Sequence, residues 1–208
     1  VFNSAGMETQ FNDNWSENPA LAATFSGVGA FPLPADSRDA AVLASLKAGA
    51  YSAHVVTTTS GIALLEAYDA DAADSPSRLV NMSARTQVGT GDDILVVGFV
   101  VDGNAPKTLL IRGIGPALTT FGVGGALSDP QLRLFNRQAQ VIQENDNWDG
   151  GATLTSAFAR TGAFSLPAGS RDAAMLVTLP PGLYTAQVSG ANNATGVGLV
   201  EIYELPEP

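Results

Sequence analysis

Apolar and polar residues alternate along much of the second half of the chain. The runs AAMLVTL (173–179) and LYTAQVSG (183–190) carry an apolar residue at every second position, and the LPPG between them has the Pro and Gly of a tight turn. The run GLVEIYEL (198–205) alternates in the same way and places Glu201 and Tyr203 on one face of a strand. These patterns predict successive antiparallel strands.

Three more strand-like runs lie upstream, separated by Gly-rich or polar turns. They are RLVNMSARTQV (78–88), DILVVGFVVDG (93–103) and KTLLIRGIG (107–115). Helical patterns are scarce, and only 19–25 and 152–160 predict a single turn each. Many short strands joined by Gly- and Pro-rich turns indicate an all-β protein, an antiparallel β-sandwich of jelly-roll-like architecture.

The chain contains an internal duplication. NDNW occurs at 12–15 and again at 145–148, an offset of 133 residues. At the same offset GAFPLPADSRDAAVL aligns with GAFSLPAGSRDAAML, and after a two-residue insertion GIALLEAYD aligns with GVGLVEIYE. Residues 1–70 and 134–203 are therefore two related copies.

The two copies differ in what precedes them. Residues 78–208 predict a complete sandwich repeat, because they hold the three middle strands and one copy of the later strands. Residues 1–70 hold the later strands alone and predict a partial repeat, and the acidic, Pro-containing stretch at 71–77 predicts a linker. We expect the half at 1–70 to be completed or covered by a neighbouring subunit through strand complementation.

Several motifs resemble a repeat found in large secreted and surface proteins of environmental bacteria. They are RLVNMSARTQVGTGDDILVVGFVVDG, LLIRGIGPAL, LSDPQLRLFN, NDNW, SRDAAMLVTLPPGLYTAQVSG and GVGLVEIYEL. The later half is also similar to the bacterial pre-peptidase C-terminal domain, a β-sandwich appended to secreted enzymes. The NDNW and SRDAA signatures depart from that second pattern. The resemblance implies an extracellular or cell-surface location, tandem repetition and a non-catalytic role.

Composition and charge exclude several function classes. The chain has ten Lys and Arg against 20 Asp and Glu, for a net charge of −10, and Lys47 and Lys107 are its two lysines. Such a chain offers no basic face for nucleic acid, and no apolar run is long enough to insert into a membrane. The absence of cysteine removes disulfides, thiol chemistry and Cys-based zinc sites.

The sequence predicts no enzyme. The single histidine, His54, aligns with Gln187 in the other copy, so a site that uses it exists at most once. The glycine-rich stretches GTGDD (89–93) and RGIGPAL (112–118) lack the Lys and Ser/Thr of a phosphate-binding loop. Tight turns explain them better.

Oxygen-bearing side chains recur at matching positions in the two copies. They are Asp13, Asn14 and Asp39 in the first copy and Asp146, Asn147 and Asp172 in the second. Two interpretations stay open. In the first, these residues cap the backbone of their own loops and there is no cofactor. In the second, the loops bind calcium, which takes six to eight oxygen ligands; two carboxylates per site are few for that ion.

Other paired residues predict structural roles. They are Trp15 and Trp148 as aromatic anchors, Arg38 and Arg171 as partners of Glu66 and Glu201, and Tyr51 and Tyr184 as strand-entry tyrosines. An Arg–Glu pair in each copy would tie the corner loop to the sheet. The tyrosine hydroxyls are expected to bond nearby backbone. A Trp among polar groups is also able to stack on a sugar, so a carbohydrate partner stays open.

The sequence is compatible with two functions. The first is a non-catalytic structural repeat subunit of an extracellular or cell-surface assembly, in which copies of the chain polymerise head to tail into a filament. The alternative is a carbohydrate- or surface-binding accessory module of a secreted enzyme.

Overall fold

The computed structural model describes residues 1–59, 61–72 and 75–206. The chain divides into two compact units, unit 1 (Val1–Leu79) and unit 2 (Val80–Pro208). The predicted linker at 71–77 falls within unit 1, and positions 73 and 74 lie outside the described residues. Across the described ranges, none of the helices combines the length and the apolar character needed to cross a bilayer.

Unit 1 contains little regular structure. Its elements are strand β1 (Phe2–Asn3), helix α1 (Pro19–Val28) and strand β2 (Tyr51–Ser52). The two strands pair antiparallel, with Phe2 opposite Ser52 and Asn3 opposite Tyr51. The side chain of Asn18 caps the start of α1 by accepting the Ala20 N–H.

Unit 2 is an antiparallel β-sandwich. Its strands are β3 (Asn81–Val88), β4 (Leu95–Val101), β5 (Lys107–Ile114), β6 (Pro130–Asn136), β7 (Val141–Asn145), β8 (Ala173–Leu179), β9 (Gly182–Gly190) and β10 (Gly196–Glu204). Sheet I has the order β3-β10-β5-β8, and sheet II has the order β4-β9-β6-β7. All pairings between these eight strands are antiparallel. The predicted all-β sandwich with three extra strands between the copies is confirmed.

The alternation of β5 builds two cores, one on each side of sheet I. Leu109 and Ile111 face sheet II and pack in the core between the sheets. Leu110 and Ile114 face the other side, which is covered by helix α2 (Ala152–Thr161), a 3₁₀ helix (Pro116–Phe121) and the loop that follows α2. Unit 2 therefore has three layers.

The two predicted single turns are instead ten-residue helices, α1 and α2. Both end at a left-handed glycine, Gly29 with φ 74° and Gly162 with φ 73°. In α2, Ala157 and Phe158 are buried against sheet I. Packing of this kind stabilises a helix whose Thr- and Ser-rich sequence predicts only a turn.

The strand pair of unit 1 is the counterpart of the β6–β9 pair. In unit 2, Phe135 lies opposite Thr185 and Asn136 opposite Tyr184. Subtraction of 133 from these four numbers gives the register observed between β1 and β2. The antiparallel bridge between Phe2 and Glu8 likewise repeats the contact of Phe135 with Val141 between β6 and β7. The duplicated sequence thus keeps inter-strand contacts for which it holds both partners.

The other predicted strands of unit 1 do not form. The segments 40–46 and 61–69, which correspond to β8 and β10, have no regular secondary structure. In sheet I, β8 pairs only with β5, and β10 pairs with β3 and β5. The described residues of unit 1 include no counterpart of β3, β4 or β5, so these segments lack the strands with which their counterparts pair. Residues 1–70 and 134–203, although related in sequence, therefore do not form the same set of strands.

Residues that form the core of unit 2 are exposed at the matching positions of unit 1. Val55 is 56 % exposed, whereas its counterpart Val188 is fully buried. Leu46 is 46 % exposed against 2 % for Leu179, and Leu65 is also exposed. We call residues 1–70 the open half, because they carry core residues without the strands that would cover them.

Candidate functional site

A buried arginine joins two strands of sheet I. Arg112 on β5 lies opposite Glu201 on β10. The Arg112 Nε and Nη2 donate to Glu201 Oε2 at 2.9 and 2.5 Å. Arg112 is fully buried and Glu201 is buried. A bonded pair of this kind neutralises two charges, either of which would be very costly to bury alone.

Aromatic rings enclose the guanidinium. The Arg112 Cζ lies 4.2 Å from the ring centroid of Phe164 and 4.9 Å from that of Phe158, within range of a cation–π interaction. The Tyr203 hydroxyl donates to Glu201 Oε1 at 2.9 Å. Burial, and then the Glu201 carboxylate, raise the pKa of Tyr203, so its hydroxyl stays a protonated donor. The cluster is a closed structural network.

The expected pairing of Arg171 with Glu201 is wrong. Arg171 Nη1 donates to Asp129 Oδ2 at 3.0 Å, and its side chain is exposed. The arginine that neutralises Glu201 comes from β5. Among the described residues, the ion pairs also include no Arg38–Glu66 pair.

Sequence reasoning missed Arg112, although a signal for it exists. KTLLIRGIG carries a charge at a position where alternation predicts burial, and GLVEIYEL carries the opposite charge in the same setting. Two opposite charges on buried faces of two strands in one unit predict a pair. Comparison of the two copies could not reveal Arg112, because β5 lies outside both of them.

The NDNW corner of unit 2 is closed by hydrogen bonds within the loop. The Trp148 backbone N–H donates to the Asp172 carbonyl at 2.8 Å, and its indole N–H donates to the Pro167 carbonyl at 3.2 Å. The Asn145 side chain accepts the Ala174 N–H at 2.9 Å. These bonds tie the end of β7 to the start of β8.

Unit 1 repeats this corner at the same offset. The Trp15 backbone N–H donates to the Asp39 carbonyl at 2.8 Å, and its indole N–H donates to the Pro34 carbonyl at 3.0 Å. The Asn12 side chain accepts the Ala41 N–H at 3.1 Å. Trp15 and Trp148 are both buried, so neither indole serves as a platform for stacking on a sugar.

The aspartates at the end of each corner differ sharply. Asp172 is fully buried, and its carboxylate accepts N–H groups from Gly115 and Ala117 and the hydroxyl of Ser170. Gly115 fits there because a Cβ would lie 2.1 Å from the Leu127 carbonyl oxygen. Gly115 and Ala117 follow β5.

In the described part of unit 1 there is no counterpart of the turn after β5, and Asp39 is exposed. Glu66 differs from Glu201 in the same way. It is exposed and keeps its tyrosine contact, since the Tyr68 hydroxyl donates to Glu66 Oε1 at 3.1 Å. The two strand-entry tyrosines also bond to nearby backbone. The Tyr184 hydroxyl donates to the Pro180 carbonyl at 2.8 Å, and the Tyr51 hydroxyl donates to the Lys47 carbonyl at 3.1 Å.

Five of the six oxygen-bearing corner residues take part in hydrogen bonds, Asp39 and Asn147 through their backbone carbonyls. Both Asp172 oxygens are engaged as described, Asp13 Oδ2 accepts the Asn14 amide at 3.2 Å, and the Asn147 carbonyl accepts the Asn145 amide at 3.1 Å. Asp146 is exposed. Over the part of the chain that is described, no three His, Cys, Asp or Glu side chains converge as a metal site.

We expect the corners to be held without calcium. An excess of chelator should leave the melting curve of the full chain unchanged. A calcium site would behave differently, because saturation to about 100 times Kd stabilises the folded state by about 2.7 kcal/mol. A melting temperature that falls on chelation and recovers in proportion to added free calcium would establish the metal site and contradict this expectation.

Comparisons with known proteins give little guidance. No protein-family model matches the chain, and no curated protein sequence is significantly similar to it. A solved structure, the pre-peptidase C-terminal domain of collagenase from Bacillus anthracis, matches with a TM-score of 0.37 and 14 % identity. The match covers 59 % of this chain and 89 % of that one. A match at this level carries no argument about function.

Proposed function

We propose that the protein is a non-catalytic structural repeat module of an extracellular or cell-surface assembly, and that it associates through its open half. One observation carries the proposal: the sequence that forms a closed core in unit 2 leaves apolar side chains uncovered in unit 1. Val55, Leu64 and Leu65 are 56, 71 and 57 % exposed. Uncovered apolar side chains at positions that form the core of unit 2 are consistent with an interaction surface.

The chemistry of the chain supports the same conclusion. The buried charged groups of unit 2 bond to one another or to backbone, and His54 packs beside the Phe2 ring at a centroid distance of 4.7 Å. Head-to-tail contact, in which the open half of one molecule lies against its neighbour, builds a filament when the rotation between neighbours does not close a ring. The extracellular location rests on the resemblance of the repeat motifs to those of secreted and surface proteins.

Sedimentation of the full chain over the micromolar range tests this function. We expect concentration-dependent association that Val55→Glu weakens by at least about tenfold, because it puts a charge where a buried valine is expected. Val100→Glu is the matched control, since Val100 is 62 % exposed on β4 of the complete unit. A chain that stays monomeric, or that loses association equally in both variants, would contradict the proposal.

A further inference from the structure

We propose that the open half is an acceptor for a β3–β5 segment of another repeat of this kind. This inference rests on the proposed function and names the partner chemistry. Unit 2 supplies the template. Its residues 81–114 cover the later strands of unit 2, and the counterparts of those strands in residues 1–70 are uncovered. The partner is thus a three-stranded polypeptide segment with a defined pattern of charge.

Backbone pairing provides the first part of the fit. A docked β5 would lie between 61–69 and 40–46, as β5 lies between β10 and β8 in sheet I. A docked β3 would pair with the other edge of 61–69, and a docked β4 with residues 49–57, as β4 pairs with β9. This one segment supplies counterparts of β3, β4 and β5, the three strands that pair with the later strands in unit 2.

Two carboxylates provide the specificity. Glu66 is held by Tyr68 as Glu201 is held by Tyr203, and it lacks the arginine that β5 provides in unit 2. Asp39 lacks the two backbone N–H donors of the turn after β5. The partner strand must therefore carry an arginine, followed three and five residues later by N–H groups free to donate. RGIGPA (112–117) has this pattern.

The donor must come from a repeat whose own later half does not use it. Within the described ranges each chain has one β3–β5 set and two later halves. Transfer of that set between two copies would complete one half and open another, so the number of paired strands would not increase. Copies of the chain can cover the open half, but only an additional donor fills it.

An extended chain tests the inference. Residues 78–133 are placed directly before Val1, so that the junction copies the natural one between Arg133 and Leu134. We expect the extended chain to be monomeric and the amides of 40–46 and 61–69 to gain the hydrogen-exchange protection of their counterparts in unit 2. R112M in the added segment alone should lower that protection by about 100-fold or more.

The Glu66→Gln variant provides a second test, which distinguishes a specific Glu66–arginine pair from a general stabilisation of the extended chain. It should leave the 208-residue chain unaffected and lower protection of 61–69 in the extended chain, because only there does Glu66 have an arginine. Equal effects in both chains would overturn the inference. An extended chain that aggregates, or that gains no hydrogen-exchange protection, would also overturn the inference. The added residues are proposed to pack on residues 1–70 as residues 80–133 pack in unit 2.

The outcomes separate the two proposals. Association through Val55 in the 208-residue chain, without a gain of protection in the extended chain, supports the assembly function and overturns the donor segment. Protection in the extended chain, with a 208-residue chain that never associates, supports the donor segment and overturns self-assembly.

Discussion

Replacement of Arg112 by methionine should destabilise unit 2 by about 3–5 kcal/mol, because the substitution leaves the buried Glu201 carboxylate without its charged partner. Urea denaturation followed by tryptophan fluorescence measures this. The measurement uses a Trp15→Phe background, so that Trp148 alone reports the unfolding of unit 2.

Two controls separate the loss of charge pairing from the loss of packing. Arg112→Met combined with Glu201→Leu should recover most of the stability, because a buried pair is often replaceable by apolar side chains of similar volume. Glu66→Gln in unit 1 should change stability by no more than about 0.5 kcal/mol, since Glu66 is exposed. An Arg112→Met variant that loses less than about 1 kcal/mol would show that the pair does not hold sheet I together.

The alternating pattern predicted β8, β9 and β10 because each of these strands places alternate residues in the core between the sheets. In β10, Val200 and Ile202 pack between the sheets, while Leu199 and Tyr203 pack under the helical layer. Local sequence is sufficient for such a prediction when the partner strands exist.

The same pattern failed in unit 1, where strand formation depends on partners. The run at 61–69 alternates like β10 and yet has no strand structure. A strand without a hydrogen-bonding neighbour leaves its backbone groups unpaired, whatever its side-chain periodicity. Features whose partners lie within the copy are preserved instead, as in the bonds of Trp15 to residues 34 and 39.

Native-state hydrogen exchange on a dilute, monomeric sample of the 208-residue chain shows whether residues 1–70 are an open half. The amides of 173–179 and 196–204 should exchange only through global unfolding of unit 2, and those of 40–46 and 61–69 should exchange at least about 1000-fold faster. Comparable protection of the matched segments in the free monomer would contradict the claim, because it would show that the first copy closes its core without a partner.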